Sequence, residues 1–120
     1  MQPTRETPAM QEAVAELERI RKEEMPAMRL GDATLTYNTD WKAAIEAYNM
    51  LDIAEASSKA ALMREESRGH SYRPEFPQED PANWTCNIVA RNVNGEMKLE
   101  TVPVSSSTNH DRSRTHKEAL

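Results

Sequence analysis

The sequence predicts a mainly α fold: helices packed up-and-down, then a small β-hairpin and a polar tail. Three observations carry this. Met10, Val14, Leu17 and Ile20 recur at steps of four, three and three, which puts them on one face of a helix. Residues 40–68 contain neither Gly nor Pro and carry apolar residues at helical spacing. Asn94-Gly95 lies between two alternating segments, a strong hairpin signal, because a type I′ turn needs positive φ at both central positions.

Taken in order, residues 1–7 are polar and are expected to fray. Thr7-Pro8 opens the first helix: Thr can cap it, and Pro in the first turn gives up no needed hydrogen bond. The helix should run to about Met25, where Pro26 ends or kinks it. Glu12, Glu16, Glu18 and Lys22 lie off its apolar stripe. Residues 27–38 read as a connection with a turn at Gly31-Asp32. Asn38-Thr39-Asp40 then offers capping groups for a helix over residues 40–68, on the order of 43 Å long at 1.5 Å per residue. Its stripe contains Trp41, Ile45, Tyr48, Leu51, Ala54, Ser58, Ala61 and Leu62, with Met50 and Ile53 off the line. The stripe is wide, and its small residues permit close approach of another element; packing against the first helix is the plain explanation.

Gly69 fits the position just past a helix C-terminus, and Pro74, Pro77 and Pro81 exclude any helix and favour an extended path. A half-buried strand is expected from Trp84 to Ala90. On the return strand Met97, Leu99 and Thr101 share one face, Lys98 and Glu100 share the other, and Pro103 closes it. The domain reading is therefore a helical unit over residues 8–73 and an extended segment with a hairpin over 74–104. Residues 105–120 read as a disordered tail, being polar apart from one late Ala-Leu pair.

The bulk numbers narrow the function. Hydrophobic residues make up 38% and charged residues 29% of 120 residues. Mean hydropathy is −0.82, low for a self-sufficient globule of a size that buries a modest core. Part of the chain is thus expected to be disordered, or part of its apolar surface to face a partner. A net charge of −5 argues against nucleic acid as a partner, since phosphates reward a basic face. Cys86 is the one cysteine, which leaves no internal disulfide and fits a reducing compartment. No stretch approaches a membrane span of ~20 apolar residues, and Met1 to Met10 lacks a signal-peptide core.

Known site patterns are absent. Gly31, Gly69 and Gly95 are too far apart for a phosphate loop, and there is no paired-cysteine motif. His110 and His116 fall in the tail, remote from His70. Cys86 reads as a small strand residue rather than a nucleophile paired with His70. Glu65 and Glu66 adjoin on a helix and point apart, so they form no acid–base dyad. One segment stands out: Arg64-Glu65-Glu66-Ser67-Arg68-Gly69-His70-Ser71-Tyr72-Arg73 gathers three arginines at a helix end. Arginine there suits the negative end of the helix dipole, and its forked donors suit carboxylates or phosphates. Either the arginines pair with carbonyls and acidic groups across a domain boundary, or they contact a ligand.

An ordered series of segments carries a family resemblance. Tyr37-Asn38-Thr39-Asp40 comes first, then Asn49-Met50-Leu51-Asp52-Ile53-Ala54-Glu55-Ala56, then Arg64-Glu65-Glu66-Ser67-Arg68-Gly69. Tyr72-Arg73-Pro74-Glu75-Phe76-Pro77, Asn83-Trp84 and Lys98-Leu99-Glu100-Thr101-Val102-Pro103-Val104 follow. Over residues 9–104 this resembles the C-terminal domain of succinate dehydrogenase and fumarate reductase flavoprotein subunits, to which L-aspartate oxidase and adenylylsulfate reductase are related. The resemblance implies a spectrin-repeat-like bundle whose first helix is missing here, leaving an apolar seam for a partner to cover. It also implies that FAD and the substrate residues belong to an upstream flavin-carrying part, with no cofactor bound by this chain alone. Arg64, Glu66, Ser67, Arg68, Gly69, Tyr72, Arg73 and Trp84 then read as a domain interface, with no catalytic or metal residue. The order His70-Ser71 departs from the family, where a small residue precedes the histidine.

The implied function is a structural and docking domain of an FAD-dependent oxidoreductase. Its partners would be the flavin-binding part and an iron–sulfur subunit, and its place cytoplasmic, held at the inner face of the membrane only through partners. An independent helical adaptor that seals its seam by dimerising is the rival; an autonomous enzyme is the third reading.

Overall fold

A computed structural model describes residues 4–31, 34 and 36–104. The expected tail, 105–120, lies outside the described residues. Helix α1 (Thr7–Arg19) is followed by a π-helical stretch (Ile20–Glu24) and a last short turn, α2 (Met25–Ala27). Helix α3 (Thr39–Met63) returns antiparallel to α1, and a short helix α4 (Pro81–Trp84) precedes strands β1 (Cys86–Val93) and β2 (Glu96–Pro103). The described part is thus helical with one two-stranded antiparallel hairpin. Among the described residues the long helices number two; the packing is a helical hairpin.

The first helix extends slightly past its expected end, and its geometry has a cause. Met25 donates its N–H to the carbonyl of Ile20, five residues back. Pro26 follows, with no N–H to give and a ring that excludes the carbonyl four residues earlier. Widening of the helix just ahead of Pro26 relieves that clash. Met10, Val14, Leu17 and Ile20 are all half-buried, as their spacing predicts, while Glu12 and Glu16 are exposed. Residues 4–7, expected to fray, are pinned instead. Thr4 forms a parallel bridge with Tyr72, and Arg5 N–H donates to the Tyr72 carbonyl at 2.9 Å.

Helix α3 opens as expected, with Asn38 Oδ1 accepting the Trp41 N–H at 2.9 Å. It ends at Met63, five residues short of the expected Arg68, because Arg64 turns extended (φ −78°, ψ 116°). Only part of the expected stripe packs against α1. Leu51 is buried, Ala54 and Ser58 are half-buried, and Trp41, Ile45 and Tyr48 stay more than 40% exposed. Met50 and Ile53, read as off the stripe, are 70% and 67% exposed.

The apolar core of the described residues is small: Met25 and Leu51 are its two buried hydrophobic side chains. Polar groups complete the α1–α3 contact. Arg21 pairs with Asp52 at 2.6 Å and with Glu55 at 2.8 Å, and Lys59 bridges Glu55 at 2.7 Å and Glu18 at 3.0 Å. Burial alone would raise the Glu55 carboxyl, but hydrogen bonds from Lys59 and Arg21 outweigh it and hold the group below its ordinary range. Tyr48 donates its hydroxyl to the Met25 carbonyl at 3.2 Å.

The hairpin has the expected turn, with Val93 opposite Glu96 and positive φ at Asn94 (56°) and Gly95 (87°). Two boundaries differ. Pro81, expected to exclude a helix, starts α4 in its first turn, where a missing N–H costs nothing and Asp80 caps Asn83 N–H at 3.2 Å. Trp84 therefore ends a helix, and the strand begins at Cys86. Met97 and Leu99 are half-buried as expected, whereas Thr101 is exposed. Helix α3 touches both strands of the hairpin.

Candidate functional site

The sequence points to the arginine-rich segment, and the fold gathers it into a hydrogen-bonded clasp. The clasp joins the end of α3, residues 64–80, the start of α1 and the root of the hairpin. Two buried ionic side chains organise it.

The first is Glu66, only 1% exposed. Its carboxylate accepts from Arg64 Nη1 at 2.6 Å, from Arg68 Nε and Nη2 at 2.9 and 3.0 Å, and from the Asp80 N–H at 2.9 Å. The Arg68 guanidinium, against the cost of burial and with help from Asp80 N–H and Arg64, holds this carboxyl at about 2. Arg64 reaches onward, donating to the Trp84 carbonyl at 3.2 Å and the Cys86 carbonyl at 3.0 Å, with its guanidinium 5.3 Å from the Trp84 ring centroid. Arg64 thereby ties the entry of β1 to the end of α3.

The second is Arg73, 3% exposed. Its Nη1 donates to the carbonyls of Leu62 (3.0 Å) and Arg64 (2.6 Å), which α3 leaves without helical partners. Its Nη2 donates to Thr7 Oγ1 at 2.5 Å, and the guanidinium lies over Phe76, 4.8 Å from the ring centroid. Nε keeps no hydrogen bond and lies 4.0 Å from a Glu75 carboxylate oxygen. Glu75 itself caps α1: its Oε1 accepts Thr7 N–H at 2.6 Å, which draws the carboxyl below its ordinary range. Ser67 Oγ accepts the Arg73 N–H at 2.9 Å and donates to the Phe76 carbonyl at 2.7 Å. Arg68 and Ser71 exchange both backbone hydrogen bonds at 3.0 Å, closing a turn in which Gly69 takes φ +57°.

This corrects two local expectations, on Gly69 and on the helix-end arginines. Gly69 serves that tight turn, not the helix C-terminus. The carbonyls at the end of α3 are met by Arg73 from outside the helix, since its last turn holds no basic residue. Glu66, Ser67 and Arg73 are committed inside the chain, which leaves Arg68, Gly69 and Tyr72 exposed and Trp84 half-exposed at the rim. Thr7, Glu75, Phe76 and Asp80 belong to the clasp but are not among the residues that the sequence assigns to the interface. Thr7-Pro8 reads as a helix start and Pro81 as favouring an extended path, and neither carries a sign of the distant partner.

The chemistry of the clasp is that of a fastener. Its carboxylates face arginines or backbone N–H groups, and Cys86 Sγ lies against the Asn83 carbonyl at 3.9 Å. Among the described residues no group of three His, Cys, Asp or Glu side chains is placed to hold a metal ion. No helix there is long and apolar enough to cross a membrane.

Comparison with known proteins agrees with this geometry. The profile of the fumarate reductase flavoprotein C-terminal family matches residues 1–116. The chain is 33% identical over 102 residues to the fumarate reductase flavoprotein subunit of Mycobacterium tuberculosis, covering 84% of this chain and 17% of that one. Among solved structures it is similar to Escherichia coli quinol fumarate reductase FrdA, with a TM-score of 0.79 and 28% identity over 88% of this chain and 18% of that chain. It is also similar to Mycobacterium smegmatis Sdh1 in a complex with UQ1, with a TM-score of 0.71 and 33% identity over 83% and 17% of the two chains. The chain spans less than a fifth of the length of these relatives. It belongs to the family of C-terminal domains of fumarate reductase and succinate dehydrogenase flavoprotein subunits.

Proposed function

We propose that this chain is a structural and docking domain that completes an FAD-dependent oxidoreductase of the succinate dehydrogenase/fumarate reductase type. In this reading the flavin and the dicarboxylate sit in a flavin-carrying partner or upstream part, and the chain catalyses nothing alone. One observation supports it most directly. Trp41, Ile45, Met50 and Ile53 are 44–70% exposed on α3, beside a core with two buried hydrophobic residues. Apolar area of this kind on a small domain marks a contact surface.

The flavin-carrying part covers the side of α3 that carries Trp41 and Ile45, so that α1 and α3 become two members of a spectrin-repeat-like bundle. Arg68, Gly69, Tyr72 and Trp84 form the contact rim, while Arg64, Glu66, Ser67 and Arg73 hold its shape from behind. An iron–sulfur subunit joins through the same assembly. The complex lies on the cytoplasmic side, peripheral to the membrane through its partners.

The test is co-expression with a flavoprotein subunit truncated before its own C-terminal domain. Co-purification with restored flavin content supports the reading. A folded, monomeric chain with no affinity for such a partner would overturn it. A tight homodimer in sedimentation would instead favour an independent adaptor, with the same apolar face buried between two copies.

A further inference from the structure

We propose that Asn94 is a latent site of spontaneous side-chain deamidation, kept intact in the folded hairpin by the side chain of Asn92. The dipeptide Asn94-Gly95 forms the exposed turn between β1 and β2. Glycine has no side chain to shield its backbone nitrogen, so that nitrogen can reach the preceding asparagine.

In the reaction the Gly95 nitrogen loses its proton to base and attacks the Asn94 side-chain carbonyl carbon. A nitrogen–carbon bond forms, the bond to the amide nitrogen breaks, and ammonia leaves with that electron pair and a proton from solvent. The cyclic imide is then opened by water at either carbonyl. One opening yields aspartate and the other its β-linked isomer, which lengthens the backbone by one atom. Water is the only co-reactant, and the sum is one water consumed for one ammonia released.

The hairpin obstructs the first step. Gly95 N–H donates to Asn92 Oδ1 at 2.8 Å. Deprotonation therefore sacrifices a hydrogen bond. The electron pair it uncovers points at the oxygen of Asn92 rather than at the Asn94 carbonyl carbon. The turn holds both residues at positive φ, 56° and 87°. Asn92 is thus a positioning residue that guards its neighbour. The pairing has a structural consequence: a two-stranded sheet has little stability of its own, so modification tracks opening of the hairpin. The β-linked product would remove the two-residue turn that sets the register of Val93 opposite Glu96.

The experiment incubates the full chain at mildly alkaline pH and follows Asn94 by peptide mass spectrometry. Asn92→Ala removes the acceptor, whereas Asn92→Asp keeps an acceptor oxygen. Deamidation at Asn94 is expected to rise several-fold in Asn92→Ala and to stay near the parent rate in Asn92→Asp. Equal rates in the parent and Asn92→Ala, or equally fast rates in both variants, overturn the proposal. Should Asn92→Ala open the hairpin, seen as lost amide protection along β1, the parent chain decides by itself. Its rate in buffer must fall several-fold below its rate in denaturant, and equality of the two overturns the guard role.

Discussion

At the scale of single residues, two buried ionic side chains do opposite jobs with the same chemistry. Glu66 collects donors from Arg64, Arg68 and the Asp80 backbone, and Arg73 collects acceptors from the end of α3 and from Thr7. Breaking a buried pair by removing one partner leaves a desolvated charge and typically costs 3–5 kcal/mol, more than the net gain from forming the pair. Because Arg64 and Arg68 retain solvent contact, Glu66→Gln is expected at the lower end, about 3 kcal/mol, in urea unfolding at neutral pH. The pH dependence has a definite sign. The Glu66 carboxyl lies at about 2 in the folded chain against an ordinary 4.5. The folded state binds fewer protons there, so this stabilisation is complete above about pH 4.5 and is lost as pH falls toward 2. Urea midpoints measured between those values should fall with pH in the parent and fall less steeply in Glu66→Gln. Parallel slopes would show that the acid sensitivity resides elsewhere.

At the scale of elements, helices α1 and α3 are joined by a seam that is apolar at few points and ionic at many. Exposed ion pairs contribute little on average, about 0–1 kcal/mol each. The seam therefore depends on Met25, on Leu51 and on the part-buried Glu55 pairs rather than on the number of bridges. Leu51 is 6% exposed, and Leu51→Ala should cost about 2–4 kcal/mol by lost burial and the cavity left behind. Ile53, two residues on and 67% exposed, provides the control. Ile53→Ala should change the stability of the isolated chain by no more than about 0.5 kcal/mol. Thermal melts of the two variants check the pair, and a large loss in Ile53→Ala would mean that α3 is rotated from its described orientation.

At the scale of the whole molecule, the clasp and the apolar face of α3 divide the labour. The clasp fixes the start of α1, the end of α3 and the hairpin relative to one another. Helix α3 then presents Trp41 and Ile45 outward on one side, with Met50 and Ile53 exposed farther round the helix. If that surface docks on a flavin-carrying partner, the double variant Trp41→Ser/Ile45→Ser should weaken co-purification about tenfold or more, since large aromatic anchors dominate interface energies. Its melting temperature alone should stay close to the parent value. A variant that melts early and still binds would place the partner surface elsewhere.

The sequence by itself determined the kinds of element and much of their order. The step pattern of Met10, Val14, Leu17 and Ile20 made a helix legible, Asn38 its successor's cap, and Asn94-Gly95 the hairpin turn. These are local properties, set by backbone sterics and by side chains a few residues apart. The motif series carried the family, and the arginine-rich segment was legible as a cluster. What that cluster does was not. Its residues meet Thr7, Asp80 and the Cys86 carbonyl, and the sequence contains no local signal for such distant partners. The early end of α3 and the short helix at Pro81 have the same origin, because Arg73 and Glu66 offer the backbone tertiary hydrogen bonds that replace helical or extended ones. Only the tertiary structure decided that Glu66 and Arg73 face inward and that Trp41 and Ile45 face out. Both sets have helix-compatible spacing or charge, and only the packing of α1 on one side of α3 tells a buried stripe from an exposed one.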